Sequence, residues 1–129
     1  MIYYFTSKED FDNQILYPKI PKNRMPGEDE TTPRICVSKS INGCLSGVQN
    51  YEKNDIVNIF QCENNNTIQP SLEQLPDSLF SGEEWILEPV LMTLLMKIKI
   101  QDIIKTNILI YSYSYMANYI YDFEVIDIY

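Results

Sequence analysis

The stretch of sequence at positions 34–48 reads Arg-Ile-Cys-Val-Ser-Lys-Ser-Ile-Asn-Gly-Cys-Leu-Ser-Gly-Val. Its β-rich opening predicts a short strand from Arg34 to Val37. Ser40 then offers a hydroxyl that can accept from a free backbone amide, and apolar residues follow it at helical spacing. We therefore predict a strand followed directly by a helix. Gly43 and Gly47 lie four residues apart, which would let this helix approach a sheet closely.

Strand-like segments predominate on both sides of this stretch. Alternation of apolar and polar residues is clearest from Leu94 to Gln101, which has a period of two. A short helical turn is predicted from Asp10 to Leu16. The other predicted strands are Ile2–Thr6, Asp55–Phe60, Glu84–Leu87, and a closing hairpin of Ile108–Tyr115 and Tyr119–Tyr129 with Met116-Ala117-Asn118 near its turn.

The segment from Tyr17 to Pro33 is predicted to be a long loop. It contains four Pro residues, which lack a backbone donor, and the acidic run Glu28-Asp29-Glu30. Loops of this length inside compact domains are often functional lids or binding loops.

The charge balance limits the partners. The chain has 129 residues, which fits a single domain at 1–129, with 18 Asp and Glu against 10 Lys and Arg, a net charge of −8. This argues against direct binding of nucleic acid, which needs clustered cations, and against binding of anionic membrane surfaces. An acidic surface suits solubility or docking on a basic partner.

The chain contains no His and three Cys. A Ser-His-Asp triad and a Cys-His dyad are therefore excluded, and three scattered Cys do not make an ordinary closed zinc site. We predict no metal site, and a general base would be a carboxylate, a Lys, a Tyr or a water. The first residues lack the apolar core with basic flanks of a secretory leader, so we expect free thiols in a reducing cytoplasm.

The order of these elements resembles a known group of proteins. The matching segments cover roughly residues 1–102: Ile2–Ser7, the Pro-rich loop, Thr32–Ser38, Ser40–Leu45, Pro76-Asp77, Gly82–Val90 and Lys97–Ile100. They are similar to segments of small phage and mobile-element proteins of firmicutes that carry an ADP-ribosyltransferase-like fold. That fold is similar to the one in some ADP-ribosylating anti-CRISPR proteins and in RES-type toxins.

The resemblance implies a strand-rich α+β fold with two small split β-sheets, one or two short helices and an NAD cleft between the sheets. One strand would contact the nicotinamide ribose, a second would offer a small hydroxyl, and a third would offer the acid that stabilises the oxocarbenium-like transition state. The matching positions are Tyr4 or Phe5 on the first strand, Arg34 and Ser38 on the second, and Glu83 or its rival Glu84 on the third. In this comparison Tyr4 falls where many relatives carry His.

Several of these residues, and some of their neighbours, also have a purely structural interpretation. Glu83 and Glu84 would be solvated residues that enter a strand, and Trp85 would be a core anchor. Arg34 would pair with an acid of the run Glu28-Asp29-Glu30. The two thiols at positions 36 and 44 would be buried apolar fillers.

Three functions therefore stay open. The first is NAD-dependent ADP-ribosylation of a host defence protein in the cytoplasm of a bacterial host. The second is non-catalytic, stoichiometric inhibition of a host nuclease by an acidic surface. The third is sequestration of a nucleotide signal in a Tyr-lined pocket. A homodimer through an exposed edge near Tyr119 to Tyr129 is also open.

Overall fold

The computed structural model describes residues 1–22, 24, 26–48, 50–76, 82–111 and 114–129. Within them the chain forms seven β-strands and one α-helix. In chain order these are β1 (Ile2–Ser7), β2 (Gln14–Leu16), β3 (Ile35–Ser38), α1 (Ile41–Val48), β4 (Ile56–Glu63), β5 (Glu83–Ile86), β6 (Val90–Tyr111) and β7 (Ser114–Ile128).

The strands form an open antiparallel sheet in the order β2-β6-β4-β1-β3-β5, and β7 also pairs with β6. A strand-rich antiparallel sheet with one short helix is an α+β architecture, as predicted. The long strand β6 organises it, because β2, β4 and β7 all pair with parts of it.

The sheet is nearly divided between β1 and β3. A single register pair, Tyr4 with Ser38, joins these two strands. By contrast, β3 is paired with β5 along four positions, from Ile35 with Ile86 to Ser38 with Glu83. The prediction of two separate sheets is therefore wrong in detail: the strands form one sheet, but β1 and β3 diverge on one side of their only pair.

Each face of the sheet carries its own hydrophobic cluster. Strand β1 shows the alternation: Tyr3 and Phe5 contribute to one cluster, whereas Tyr4 packs against the other. In β6 a bulge opposite Ile59 and Phe60 shifts the register. Because a bulge reverses the alternation of side chains, β6 supplies Met92 to the first cluster and Ile98 to the second.

The helix α1 covers the second face, as the strand-then-helix pattern predicted. The Ser40 hydroxyl accepts the backbone N–H of Gly43 at 3.0 Å, which confirms the predicted N-cap. Gly43 lies against Ser38 so closely that a side chain there would overlap the Ser38 hydroxyl, which confirms the close approach. No helix in the described ranges combines the length and apolar character that crossing a membrane requires.

Two segments differ from the sequence-based prediction. Gln14–Leu16, predicted as part of a helical turn, is the strand β2, because it pairs with the start of β6. Met116-Ala117-Asn118, predicted near the turn of the closing hairpin, lies within β7, because β6 and β7 stay paired as far as Tyr111 with Ser114. Tyrosines recur at positions 111, 113 and 115 of the sequence, and this pattern lies outside the described side chains.

Candidate functional site

Three of the predicted site residues lie side by side across three strands. Tyr4 of β1 is the register partner of Ser38 of β3, and Ser38 is in turn the partner of Glu83 of β5. Residues directly opposite each other in neighbouring strands point to the same face of a sheet. The row from Tyr4 to Glu83 therefore lies on the face that α1 covers.

A cavity of about 320 Å³ opens beside this row, where β1 and β3 diverge. Ser38 and Glu83 line it, and from β1 it is Phe5, not Tyr4, that contributes to the wall. Tyr4 packs against the second core cluster instead. The cavity wall is completed by further residues of β1, β3, the helix and the Pro-rich loop: Thr6, Lys19, Pro21, Lys22, Glu28, Cys36, Val37, Gly43, Cys44 and Gly47.

Glu83 is held in position at the cavity wall. Its Oε2 accepts the indole N–H of Trp85 at 2.7 Å, and Trp85 is fully buried, which confirms the core-anchor interpretation of that residue. Its Oε1 lies 3.7 Å from the place where a Cβ atom on Gly47 would stand. A half-buried carboxylate fixed by a buried indole is oriented with little freedom to rotate.

Glu84 lies on the opposite face of the sheet, as the partner of Val37. It is 7% exposed, so the interpretation as a solvated residue is wrong for Glu84. Its Oε1 accepts the hydroxyls of Tyr3 at 3.0 Å and Thr67 at 2.9 Å. Strand alternation thus leaves Glu83, and not its neighbour, at the cavity.

Arg34 lies outside the row and is engaged in the interior. Its side chain is fully buried, forms an ion pair with Glu28 and donates to the carbonyl of Thr32 at 2.9 Å. Its guanidinium also stacks over the Trp85 ring, 4.1 Å from the ring centroid. The pairing with the acidic run is confirmed. Glu28 and Trp85 engage the guanidinium, and Arg34 also lines the second cavity described below.

A second cavity, of about 520 Å³, adjoins the first through the gap between β1 and β3. The two share Phe5, Lys19, Pro21 and Cys36 in their walls. The second is more aromatic, because Phe11 and Tyr17 line it. Phe11 stacks on the buried Phe60 with ring centroids 4.1 Å apart.

The cations nearest the first cavity are Lys19 and Lys22. Both are exposed and belong to the Pro-rich loop, which Lys19 ties to β3 through two backbone hydrogen bonds with Arg34, of 3.2 and 3.0 Å. Sequence reasoning missed them. The available signal was the repeat Pro-Lys at positions 18–19 and 21–22 inside a predicted binding loop.

The thiols are not activated. Burial raises the pKa of Cys44 to about 12, and its Sγ donates to the Tyr4 carbonyl at 2.7 Å. Burial, reinforced by the charge of Glu83, also raises the pKa of Cys36. A thiolate is the nucleophilic form of Cys, so a nucleophilic role for either residue is unfavourable.

The described residues contain no group of three or more Cys, Asp or Glu that could hold a metal ion. In comparisons with known proteins, no family model, no curated protein and no solved structure matches the chain.

Proposed function

We propose that this protein binds NAD in the two adjoining cavities and transfers its ADP-ribose to a protein of a bacterial host, with Glu83 as the catalytic carboxylate. The observation that supports the proposal most strongly is the row Tyr4-Ser38-Glu83 beside the gap between β1 and β3. The resemblance in the order of elements predicted this grouping from three segments far apart in the chain.

The size and charge of the cavities suit a dinucleotide. Volumes of about 320 and 520 Å³ lie within the usual range for small-molecule sites. The aromatic wall of the second cavity offers Phe11 and Tyr17 for stacking on a base. The ammonium groups of Lys19 and Lys22 would then contact the pyrophosphate.

When bound, NAD supplies a nicotinamide–ribose bond whose electron pair leaves with nicotinamide, so that positive charge develops on the ribose. The carboxylate of Glu83 would stabilise that charge electrostatically, as a carboxylate does in glycoside cleavage. An acceptor group of the target, or water, then bonds to the ribose carbon and releases its proton to solvent. Ser38, next to Glu83, would orient the ribose with its hydroxyl.

The experiment is transfer of labelled ADP-ribose to proteins in an extract of a firmicute host. We expect labelled host proteins with the wild type and about 100-fold less label with Glu83→Gln. Glu63→Gln removes an exposed carboxylate at the end of β4 and is the matched control. Absence of label together with absence of NAD binding would remove the proposal.

Sequestration of a nucleotide without turnover is the second candidate. It is favoured by the bond between Glu83 Oε2 and the Trp85 indole, because that oxygen already has a donor. The absence of His from the chain points the same way. Recovery of an intact nucleotide from the denatured protein, with no turnover of added NAD, would select this candidate over the enzyme.

A further inference from the structure

The outer edge of β7 is open along Asp122–Ile128. Within the described ranges β7 pairs only with β6. The helix meets the strand at Tyr119, whose carbonyl accepts the Ser46 hydroxyl at 2.6 Å. Beyond it lies an edge of seven residues, about 23 Å long at the usual rise of a strand. An exposed edge of this length is a template for another strand.

The two faces of this edge differ in chemistry. Asp122, Glu124 and Asp127 are all exposed. The last two pair with Lys99 and Lys97 and lie on one face although they are three residues apart, because the register shifts between Lys97 and Ile98. On the other face lie Phe123, Val125 and Ile128, the partners of Ile100, Ile98 and Met96. Val125 is 44% exposed and Ile128 is 76% exposed, so apolar surface remains uncovered.

The strand that already pairs with β7 shows which sequence fits it. Opposite Phe123–Asp127, β6 presents Lys97-Ile98-Lys99-Ile100, in which Lys alternates with Ile, whereas Asp122 faces Asp102. The outer edge of β7 presents the same side chains to a second neighbour. Opposite charges and apolar pairs in directly facing positions stabilise a sheet, so the same alternation would be favoured there.

A second copy of the chain is a poor occupant of this edge. The segment from 114 to 129 contains three acids and no Lys or Arg. Whatever the alignment, two copies of β7 would face each other without a cation, and like charges in facing positions destabilise a sheet. The acids thus disfavour self-association and favour a cationic strand.

We propose that the edge Asp122–Ile128 binds an extended segment of a partner protein in which Lys or Arg alternates with apolar residues, added to the sheet as a strand. The cations lie over Asp122, Glu124 and Asp127, and the apolar residues lie over Val125 and Ile128. This mode gives affinity through main-chain hydrogen bonds and selectivity through alternate side chains. The proposal does not depend on NAD chemistry.

The directions of the backbone N–H and C=O groups identify a variant that would block pairing at the outer edge of β7 and keep its pairing with β6. Ile100 directs its N–H to Asp55 and its carbonyl to Asn54, at 2.9 and 2.8 Å, away from β7. Its partner Phe123 therefore directs its own groups outward, and Val125, two residues on, does the same. Val125→Pro would remove an outward donor and leave the ladder to β6 intact.

The test uses the full chain and a blocked peptide in which Lys and Val alternate, followed by NMR titration. We expect shifts confined to Asp122–Ile128, affinity about tenfold lower for Val125→Pro, and a similar loss for the double variant Asp122→Lys with Glu124→Lys. Glu63→Lys, which changes charge on another strand, should bind as the wild type does at matched ionic strength. A peptide with Val and Lys grouped in separate halves should bind weakly.

Three outcomes would overturn the proposal. The first is no binding of the alternating peptide. The second is equal binding of the grouped and alternating peptides, since this reports net charge alone. The third is a wild-type dimer in sedimentation that Val125→Pro dissociates, because the edge would then be filled by a second copy. If Val125→Pro fails to fold, the double charge variant decides the question alone.

Discussion

Gly43 of α1 lies against Ser38 of β3: a Cβ atom at position 43 would fall under 3.0 Å from the Ser38 hydroxyl and 3.1 Å from its Cβ. This contact seats the helix over the row that ends at Glu83. We expect Gly43→Ala to lower the free energy of unfolding by about 1 to 3 kcal/mol through overpacking, measured by urea denaturation.

Gly47→Ala is the matched control for this prediction. A Cβ there would lie 3.7 Å from Glu83 Oε1, an ordinary contact, and Ala favours a helix by up to about 1 kcal/mol over Gly. We expect it to be neutral or stabilising. Ser38→Ala should partly rescue Gly43→Ala. Equal losses for Gly43→Ala and Gly47→Ala would contradict the close seating of the helix.

The ion pair of Arg34 with Glu28 is expected to support stability rather than catalysis. Arg34→Met leaves the Glu28 carboxylate, whose side chain is 10% exposed, without its cation. We expect a loss of about 3 to 5 kcal/mol in unfolding free energy. The double variant with Glu28→Met should lose less, because no charge is then left buried and unpaired. A double variant whose loss equals the sum of the losses in Arg34→Met and Glu28→Met would contradict this.

The charge of Asp29 should make the free energy of unfolding fall at acidic pH. The backbone N–H of Thr31 and the hydroxyl of Thr32 hold the pKa of Asp29 well below its usual value of 3.8. A carboxyl whose pKa is lowered on folding stabilises the protein above its unfolded pKa, and this contribution is lost as pH falls below about 4. Asp29→Asn should therefore be less stable than the wild type at pH 7, with a difference that narrows towards pH 3.

Urea unfolding at several pH values measures this effect. Glu30→Gln removes one exposed charge from the same loop and controls for net charge. A difference between Asp29→Asn and the wild type that stays constant from pH 7 to pH 3 would show that the charge of Asp29 contributes nothing.

Cys36 should report ligand binding. It lines both cavities, whereas Cys62 is buried in the first core cluster. Burial raises the pKa of Cys62 to about 11 and raises that of Cys36 as well, so both should react slowly with a disulfide reagent at pH 8. We expect NAD to slow labelling of Cys36 several-fold and to leave Cys62 unchanged, read by mass spectrometry of peptides. Equal effects on both thiols would place the ligand elsewhere.

Local features of the sequence predicted the helix and its close packing on the sheet. The Ser40 cap is a contact between residues three positions apart in the chain. The close approach at Gly43 depends on the absence of a side chain, which the sequence states directly. The period of two in β6 is likewise a local pattern of burial. These signals favoured a strand-rich chain with a short helix, and the α+β class agrees with what the resemblance implied.

Features that depend on distant pairing were not predictable. Gln14–Leu16 is a strand because it pairs with β6, and the identity of those three residues does not predict this pairing. The choice between Glu83 and Glu84 depends on which of two adjacent residues faces α1, and that requires the register of β5 against β3. The ion pair made Arg34 structural, and only the folded loop brought Lys19 and Lys22 to the cavity.

Release of nicotinamide from NAD by wild type, Glu83→Gln and Glu84→Gln tests the central claim most directly. Glu84 is the matched acid on the other face, bonded to Tyr3 and Thr67. We expect release by the wild type, about 100-fold slower release by Glu83→Gln, and an unchanged rate per folded molecule for Glu84→Gln despite its lower stability. A wild type that releases no nicotinamide, or a Glu83→Gln variant as fast as the wild type, would contradict the assignment.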